Sequence, residues 1–127
     1  MRILLDTCDF LWFISGDAAL PEESRRHVQE AASEVFLSVV SVWEIVVKHR
    51  LGKLPLPQPP EVYVPAQRAL HRIASLSLEE SAVKRLAGLP SIHRDPFDRM
   101  LVCQALDGGM RLASSDPVMR QYPVTLL

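Results

Sequence analysis

Cysteine is scarce in this 127-residue chain. Cys8 and Cys103 are too few and too unpatterned for a disulfide framework or a zinc site, and a reduced, cytoplasmic setting is the expectation. The four histidines, His27, His49, His71 and His93, are scattered without ligand spacing, so none is assigned to a metal. Long apolar runs are also lacking: nothing reaches the ~18 residues of a spanning helix, and the opening MRILLDTCDF reads as neither a signal peptide nor a membrane span. No membrane partner is expected. Charge of one sign is lacking too. Fourteen Lys and Arg stand against 15 Asp and Glu, a formal net charge of −1, which excludes tight nucleic-acid binding on overall charge alone but leaves room for local basic strips. With no internal repeat, low-complexity stretch or composition break, residues 1–127 read as one domain.

What is present is apolar sequence, 48% of the chain, enough for a large core plus a surface that takes a dimer mate or a partner. Its arrangement alternates. Ile3-Leu4-Leu5, ending at Asp6, has the continuous apolar character of a strand buried on both faces, and Val35-Phe36-Leu37 repeats it. Residues 73–76 predict a third strand, 112–113 a fourth and 124–126 a fifth. Between them lie helical patterns at 10–14 (closed by Gly16), 21–32, 42–51, 61–71, 79–87 and 96–106, the last stopped by Gly108-Gly109. LPLPQPP at 54–60 must be loop. Strands alternating with helices imply right-handed crossovers. The fold class is α/β, a three-layer α/β/α arrangement around a five-stranded, mainly parallel sheet.

In such sheets the working edge lies beyond the carboxyl ends of the strands. Four acids map to that edge. Asp6 ends the first strand, Glu44 lies about one turn into the helix after the second, Asp98 lies in the first turn of the helix opened by Pro96, and Asp116 follows the fourth strand. Each has a purely structural alternative. Asp6 reads as a polar strand stop, Glu44 as the far half of a capping box begun by Ser41, and Asp116-Pro117 as a cap followed by proline. In Asp95-Pro96-Phe97-Asp98 the first acid is the better cap and the second the better ligand. Unit like charges ~4 Å apart repel by about 4 kcal/mol at a surface-like dielectric, so four converging carboxylates require protons or a cation. An all-oxygen donor set favours a hard ion, Mg²⁺ or Mn²⁺, whose chemistry suits phosphodiester hydrolysis.

Basic residues near this edge are candidate contacts for a phosphate backbone. Lys48, Arg50 and Lys53 follow Glu44 on the same helix or just past it, where they equally complement a negative helix end, and Arg94 and Arg99 flank Asp98. His93 is a minor candidate for a phosphate contact. Asp9 reads as solvent-facing. Trp12, Phe13 and Trp43 read as core, with part of the Trp12-Phe13 pair as an alternative partner surface. Two rival enzyme classes fail on pattern: a phosphatase with a nucleophilic aspartate needs an Asp-x-Asp motif that Asp6-Thr7-Cys8-Asp9 lacks, and a phosphoacceptor domain needs a late lysine that is missing after Lys84.

In order and spacing, Leu4-Leu5-Asp6-Thr7, the block 38–45 (SVVSVWEI), the block 93–101 (HRDPFDRML) and Leu112-Ala113-Ser114-Ser115-Asp116 resemble the PIN-domain toxins called VapC, across almost the whole chain. The resemblance implies a five-stranded parallel sheet flanked by helices, an acidic pocket for Mg²⁺ or Mn²⁺, and endonucleolytic cleavage of RNA. It implies catalytic and metal-binding roles for Asp6, Glu44, Asp98 and Asp116, and accessory ones for Asp95, Ser114 (where the family usually has threonine) and Thr7. It also implies a small cognate antitoxin and a homodimer. Cys8 and Asp9 stand where the family more often has His or Asn and an apolar residue, and Ser115 replaces a frequent arginine. The non-enzymatic alternative is an inactive PIN-like module acting through partner binding; the presence of all four acids argues against it.

Overall fold

The computed structural model describes residues 1–92 and 94–127. Four parallel strands form the sheet: β1 (Arg2–Leu5), β2 (Glu34–Ser38), β3 (Ala74–Leu76) and β4 (Arg111–Ala113), in the order β3-β2-β1-β4. Six α-helices accompany them: α1 (Thr7–Ser15), α2 (Glu22–Gln29), α3 (Val39–Arg50), α4 (Pro60–Leu70), α5 (Glu80–Lys84) and α6 (Pro96–Gly108), with 3₁₀ turns at Arg85–Gly88 and Pro117–Gln121.

Side chains on a strand alternate between faces, and β1 is apolar on both. Ile3 and Leu5 enter one core with Phe10, Phe13, Val28, Leu37, Ile45 and Val64 from β2 and helices α1 to α4. Leu4 enters the other with Leu101, Val102, Cys103, Met110, Leu112 and Met119. Two cores on opposite faces make the three layers; Phe13 is a core residue as expected, and Cys103 is buried in the second core.

The sheet has four strands among the described residues, not five. The predicted last strand contributes a single parallel bridge, Leu126 to Leu112, with Leu112 N–H donating to Thr125 O at 2.9 Å and Leu127 N–H donating to Leu112 O at 3.0 Å. Pro123, at the start of the segment, has no N–H to donate to a ladder. A second difference lies at the start of α3. Its N-cap is Ser38, whose hydroxyl accepts from Val40 N–H, so the helix begins one turn before Ser41 and the capping box on Glu44 does not form. Trp43, expected in the core, is 60% exposed and packs edge-on against Phe97 with ring centroids 4.9 Å apart.

The strand order reverses beside β1: β2 and β3 lie on one side, β4 on the other. Loops leaving β1 and β4 therefore diverge at their carboxyl ends, the place where open α/β sheets leave a crevice.

Candidate active site

A cavity of about 190 Å³ opens at that crevice. It is lined by Asp6, Thr7, Cys8, Asp9, Trp12, Glu44, Lys48, Asp95, Asp98, Ser115 and Asp116. All four expected acids therefore meet, from four separate segments, and two unranked features join them: a buried aspartate at position 9 and an ammonium at position 48.

Local backbone chemistry aims each acid. Asp6 is the N-cap of α1 and accepts the Asp9 N–H at 2.7 Å; Asp95 caps α6, accepting from Phe97 N–H at 2.8 Å and Asp98 N–H at 3.3 Å. Asp116 caps the final 3₁₀ turn, accepting from Val118 N–H at 3.0 Å. The structural readings of Asp6 and Asp116 are thus correct as far as they go, since each cap also faces the shared cavity. Capping pins one carboxylate oxygen and leaves the group directed at the helix start, where the peptide dipoles favour negative charge.

Glu44 is buried and fully engaged. Its Oε1 accepts the Thr7 hydroxyl at 2.6 Å, Thr7 also contacts the Ser41 hydroxyl at 3.0 Å, and its Oε2 accepts from Lys48 Nζ. Lys48, one helical turn on, is an ion-pair partner inside the cavity rather than part of a free basic strip, and its pKa is raised, first by that hydrogen bond. The i,i+4 spacing was the available signal for the pair.

Asp6 and Asp9 behave differently. Burial, and secondly the charge of Asp9, push the Asp6 carboxyl up to about 7, against hydrogen bonds from Ser114 and the Asp9 backbone that lower it. Asp9 is 1% exposed, not solvent-facing, and its carboxyl is raised, chiefly by burial. Asp9 Oδ1 accepts the Ser115 hydroxyl at 3.1 Å, while Oδ2 is buried with no hydrogen-bond partner among the described residues. Cys8 on the rim has its thiol pushed up to about 11 by desolvation and by neighbouring carboxylates, which rules out a reactive thiolate.

The remaining candidates lie elsewhere. Arg50 and Lys53 are exposed beyond the end of the cavity wall. Arg94 and Arg99 line an adjacent apolar groove with Trp43, Phe97 and Met100, and Arg99 donates to Pro90 O at 2.8 Å. Ser114 bonds Asp6 and accepts the Asp116 N–H at 3.2 Å, a positioning contact between two of the acids. His93 lies outside the described residues.

Among the described residues, no three His, Cys, Asp or Glu side chains already form a metal cage. A hard ion such as Mg²⁺ does not need one, because it keeps several waters and uses one or two carboxylates plus substrate phosphates. The all-oxygen donor set, the high pKa of Asp6 and the orphaned Asp9 oxygen fit such an ion.

A parallel α/β domain with an acidic crevice at its strand-order reversal is the class the geometry defines. The chain belongs to the PIN domain family, whose model matches residues 3–124. It is 39% identical over 80 residues to Ribonuclease VapC16 of Mycobacterium tuberculosis (strain ATCC 25618 / H37Rv); the match covers 61% of this chain and 55% of that protein, so it spans about half the relative's length. Among solved structures it resembles VapBC2 from Rickettsia felis bound to a DNA fragment from their promoter, with TM-score 0.73 and 11% identity over 100% of this chain and 97% of that one. VapBC-1 from nontypeable Haemophilus influenzae aligns with TM-score 0.60 and 19% identity, covering 91% and 87%. A toxin-antitoxin complex from Klebsiella pneumoniae gives 0.61 and 13%, covering 98% and 96%. At these identities the structures speak to the fold. No helix among the described residues is long and apolar enough to cross a membrane.

Proposed function

We propose that this protein is a Mg²⁺- or Mn²⁺-dependent endoribonuclease, the toxin of a toxin–antitoxin pair. The observation that carries the reading is the convergence of Asp6, Glu44, Asp98 and Asp116 on one 190 Å³ cavity at the switch point of a PIN fold. Asp6, Asp98 and Asp116 are the residues to hold the ion, with Glu44 completing the acidic wall and Asp95 and Ser114 orienting their neighbours. When bound, the ion supplies positive charge for the phosphoryl oxygens and makes a water more acidic. Thr7 and Lys48 hold Glu44 in one rotamer and keep its charge balanced, so the wall does not collapse inward as substrate approaches. A cavity carboxylate accepts the attacking water's proton. Trp12 lines the cavity, and exposed Arg50 and Lys53 are the candidate contacts for the RNA backbone outside it.

The likeness to a ribonuclease and to toxin–antitoxin structures supports RNA as substrate and a small antitoxin as partner. Exposed Val39, Trp43 and Val46 on α3 provide apolar surface for that partner or for a dimer mate. The test uses purified protein with Mn²⁺ or Mg²⁺ on a panel of structured RNAs, beside Asp6→Asn and Asp98→Asn. We expect ion-dependent cleavage falling by about 100-fold or more in both variants. Equal cleavage by all three proteins, or none by the wild type with either ion, overturns the reading. A small antitoxin-like reading frame adjoining the gene is the expected genetic counterpart.

A further inference from the structure

Asp9 is a buried acid outside the four expected ones, and the structure gives it a distant partner. Asp9 and Ser115, separated by 106 residues, are hydrogen-bonded to each other across the cavity mouth at 3.1 Å. The bond engages Oδ1, while Oδ2 is buried with no donor of its own among the described residues and the carboxyl's remaining neighbour is Asp6, with which it shares a side-chain hydrogen bond when one of the two carries a proton; both residues line the cavity with Asp116. A buried carboxylate oxygen left unpaired is costly, and a structural side chain would be expected to satisfy it. Asp6, the neighbouring carboxyl, can donate to Asp9 while it is protonated and presents only acceptors once ionised. A proton or a cation can lie between two such groups; nothing else in the local chemistry can.

We propose that Asp9 is a fifth carboxylate of the site, its Oδ2 sharing a divalent cation with Asp6 while Ser115 acts as the positioning residue that turns it there. The assignment rests on the metal-dependent reading above and adds a ligand to it. Asp9 is a separate residue from the four expected acids, in the first turn of α1 that Asp6 caps, and its side chain is held by the residue preceding Asp116. The consequence is tighter retention of the hard ion before RNA arrives, since each added oxygen ligand replaces a water that substrate would otherwise not displace.

Calorimetric titration of Mn²⁺ into the full chain tests this without reference to cleavage, using wild type, Asp9→Ala, Asp9→Asn and Ser115→Ala. We expect the Mn²⁺ Kd to rise about tenfold or more in both Asp9 variants and several-fold in Ser115→Ala, with a matching loss of the Mn²⁺-induced rise in Tm. Unchanged affinity in the Asp9 variants overturns the assignment while leaving the nuclease reading intact. So does a Tm lowered equally with and without Mn²⁺ at unchanged affinity, the mark of a structural tie. Failure of the wild type to bind Mn²⁺ overturns both readings. Should the Asp9 variants fold poorly, Ser115→Ala decides alone: its side chain is exposed, and an unaltered Mn²⁺ affinity in that variant overturns the proposal.

Discussion

At one end of the cavity Glu44 has both oxygens engaged by the protein itself, Thr7 on Oε1 and Lys48 on Oε2. At the other, Asp6 and Asp9 face each other with no ion-pair partner among the described residues, and burial and mutual repulsion push Asp6 up to about 7. Both ends bury carboxylates on the same crevice, yet one carries its counter-charge in the sequence and the other does not. The difference teaches where an external cation is needed. An acid satisfied by a lysine one turn away is set up as a fixed wall; a carboxyl pair that has hydrogen bonds but no counter-charge among the described residues is set up to exchange protons for metal.

The largest expected effect separates the ends by pH. In the unfolded chain Asp6 titrates near its ordinary value of 3.8, in the folded one near 7. Between those values the folded state holds the proton more tightly, so stability is lost as pH rises through that window and the loss levels off above about 7. Asp6→Asn removes this penalty while keeping an acceptor for the Asp9 N–H. In EDTA its stability should match the wild type near pH 4 and exceed it on the order of 2–4 kcal/mol at pH 8. Saturating Mn²⁺ should reverse that ranking. Denaturant unfolding across pH measures it, and a constant difference from pH 4 to pH 8 would break the comparison at its metal-seeking end.

Next in size is Lys48→Met, which removes the counter-charge from the other end. Glu44 is left buried, its side chain 4% exposed, with only Thr7, whereas Lys48 was 42% exposed and loses little solvation in the pair. Stranding a buried acceptor of this kind costs about 2 kcal/mol, roughly 5–10 °C in Tm for a chain of this size. Mn²⁺ should restore part of the loss and raise Tm more than in the wild type. An unchanged Tm without metal would show that the two ends are not different after all.

Much of this site was legible in the sequence because its acids sit at punctuation. Asp6 follows a run of Ile and Leu, Asp95 and Asp116 precede prolines, and the strand-end rule collects them on one edge. The start of α3 was not legible. β2 runs directly into α3 through SVVSVWE, where valines and tryptophan alternate with two serines that could each cap, so no change of period marks Ser38 rather than Ser41 as the cap, nor which side of the helix leaves Trp43 exposed. The fifth strand was over-read because apolar residues at 124–126 carry strand propensity whether or not the ladder has room to extend. Asp9 was misread for a different reason: it is buried beside a partner, Ser115, that comes from the far end of the chain, and no local pattern encodes a contact of that span. Lys48 was assigned to RNA although its spacing from Glu44 already described the pair.

The two smallest effects compare the hydroxyls that serve the two ends. Thr7→Val keeps shape but removes the donor to Glu44 Oε1 in a site where Thr7 is only 5% exposed. It should cost about 1 kcal/mol without metal, seen as a fall in denaturation midpoint at unchanged slope. Ser115→Ala removes an equivalent bond to Asp9, but from an exposed serine, so water takes over the lost contact. Its metal-free stability should change by less than about 0.5 kcal/mol. The contrast matters more than either value. If the Asp9 end were a structural network like the Glu44 end, the serine would be as costly to remove as the threonine. A Ser115→Ala loss equal to that of Thr7→Val would place both hydroxyls in the same role and dissolve the distinction between a wall that the protein neutralises and a pair that it leaves open for a cation.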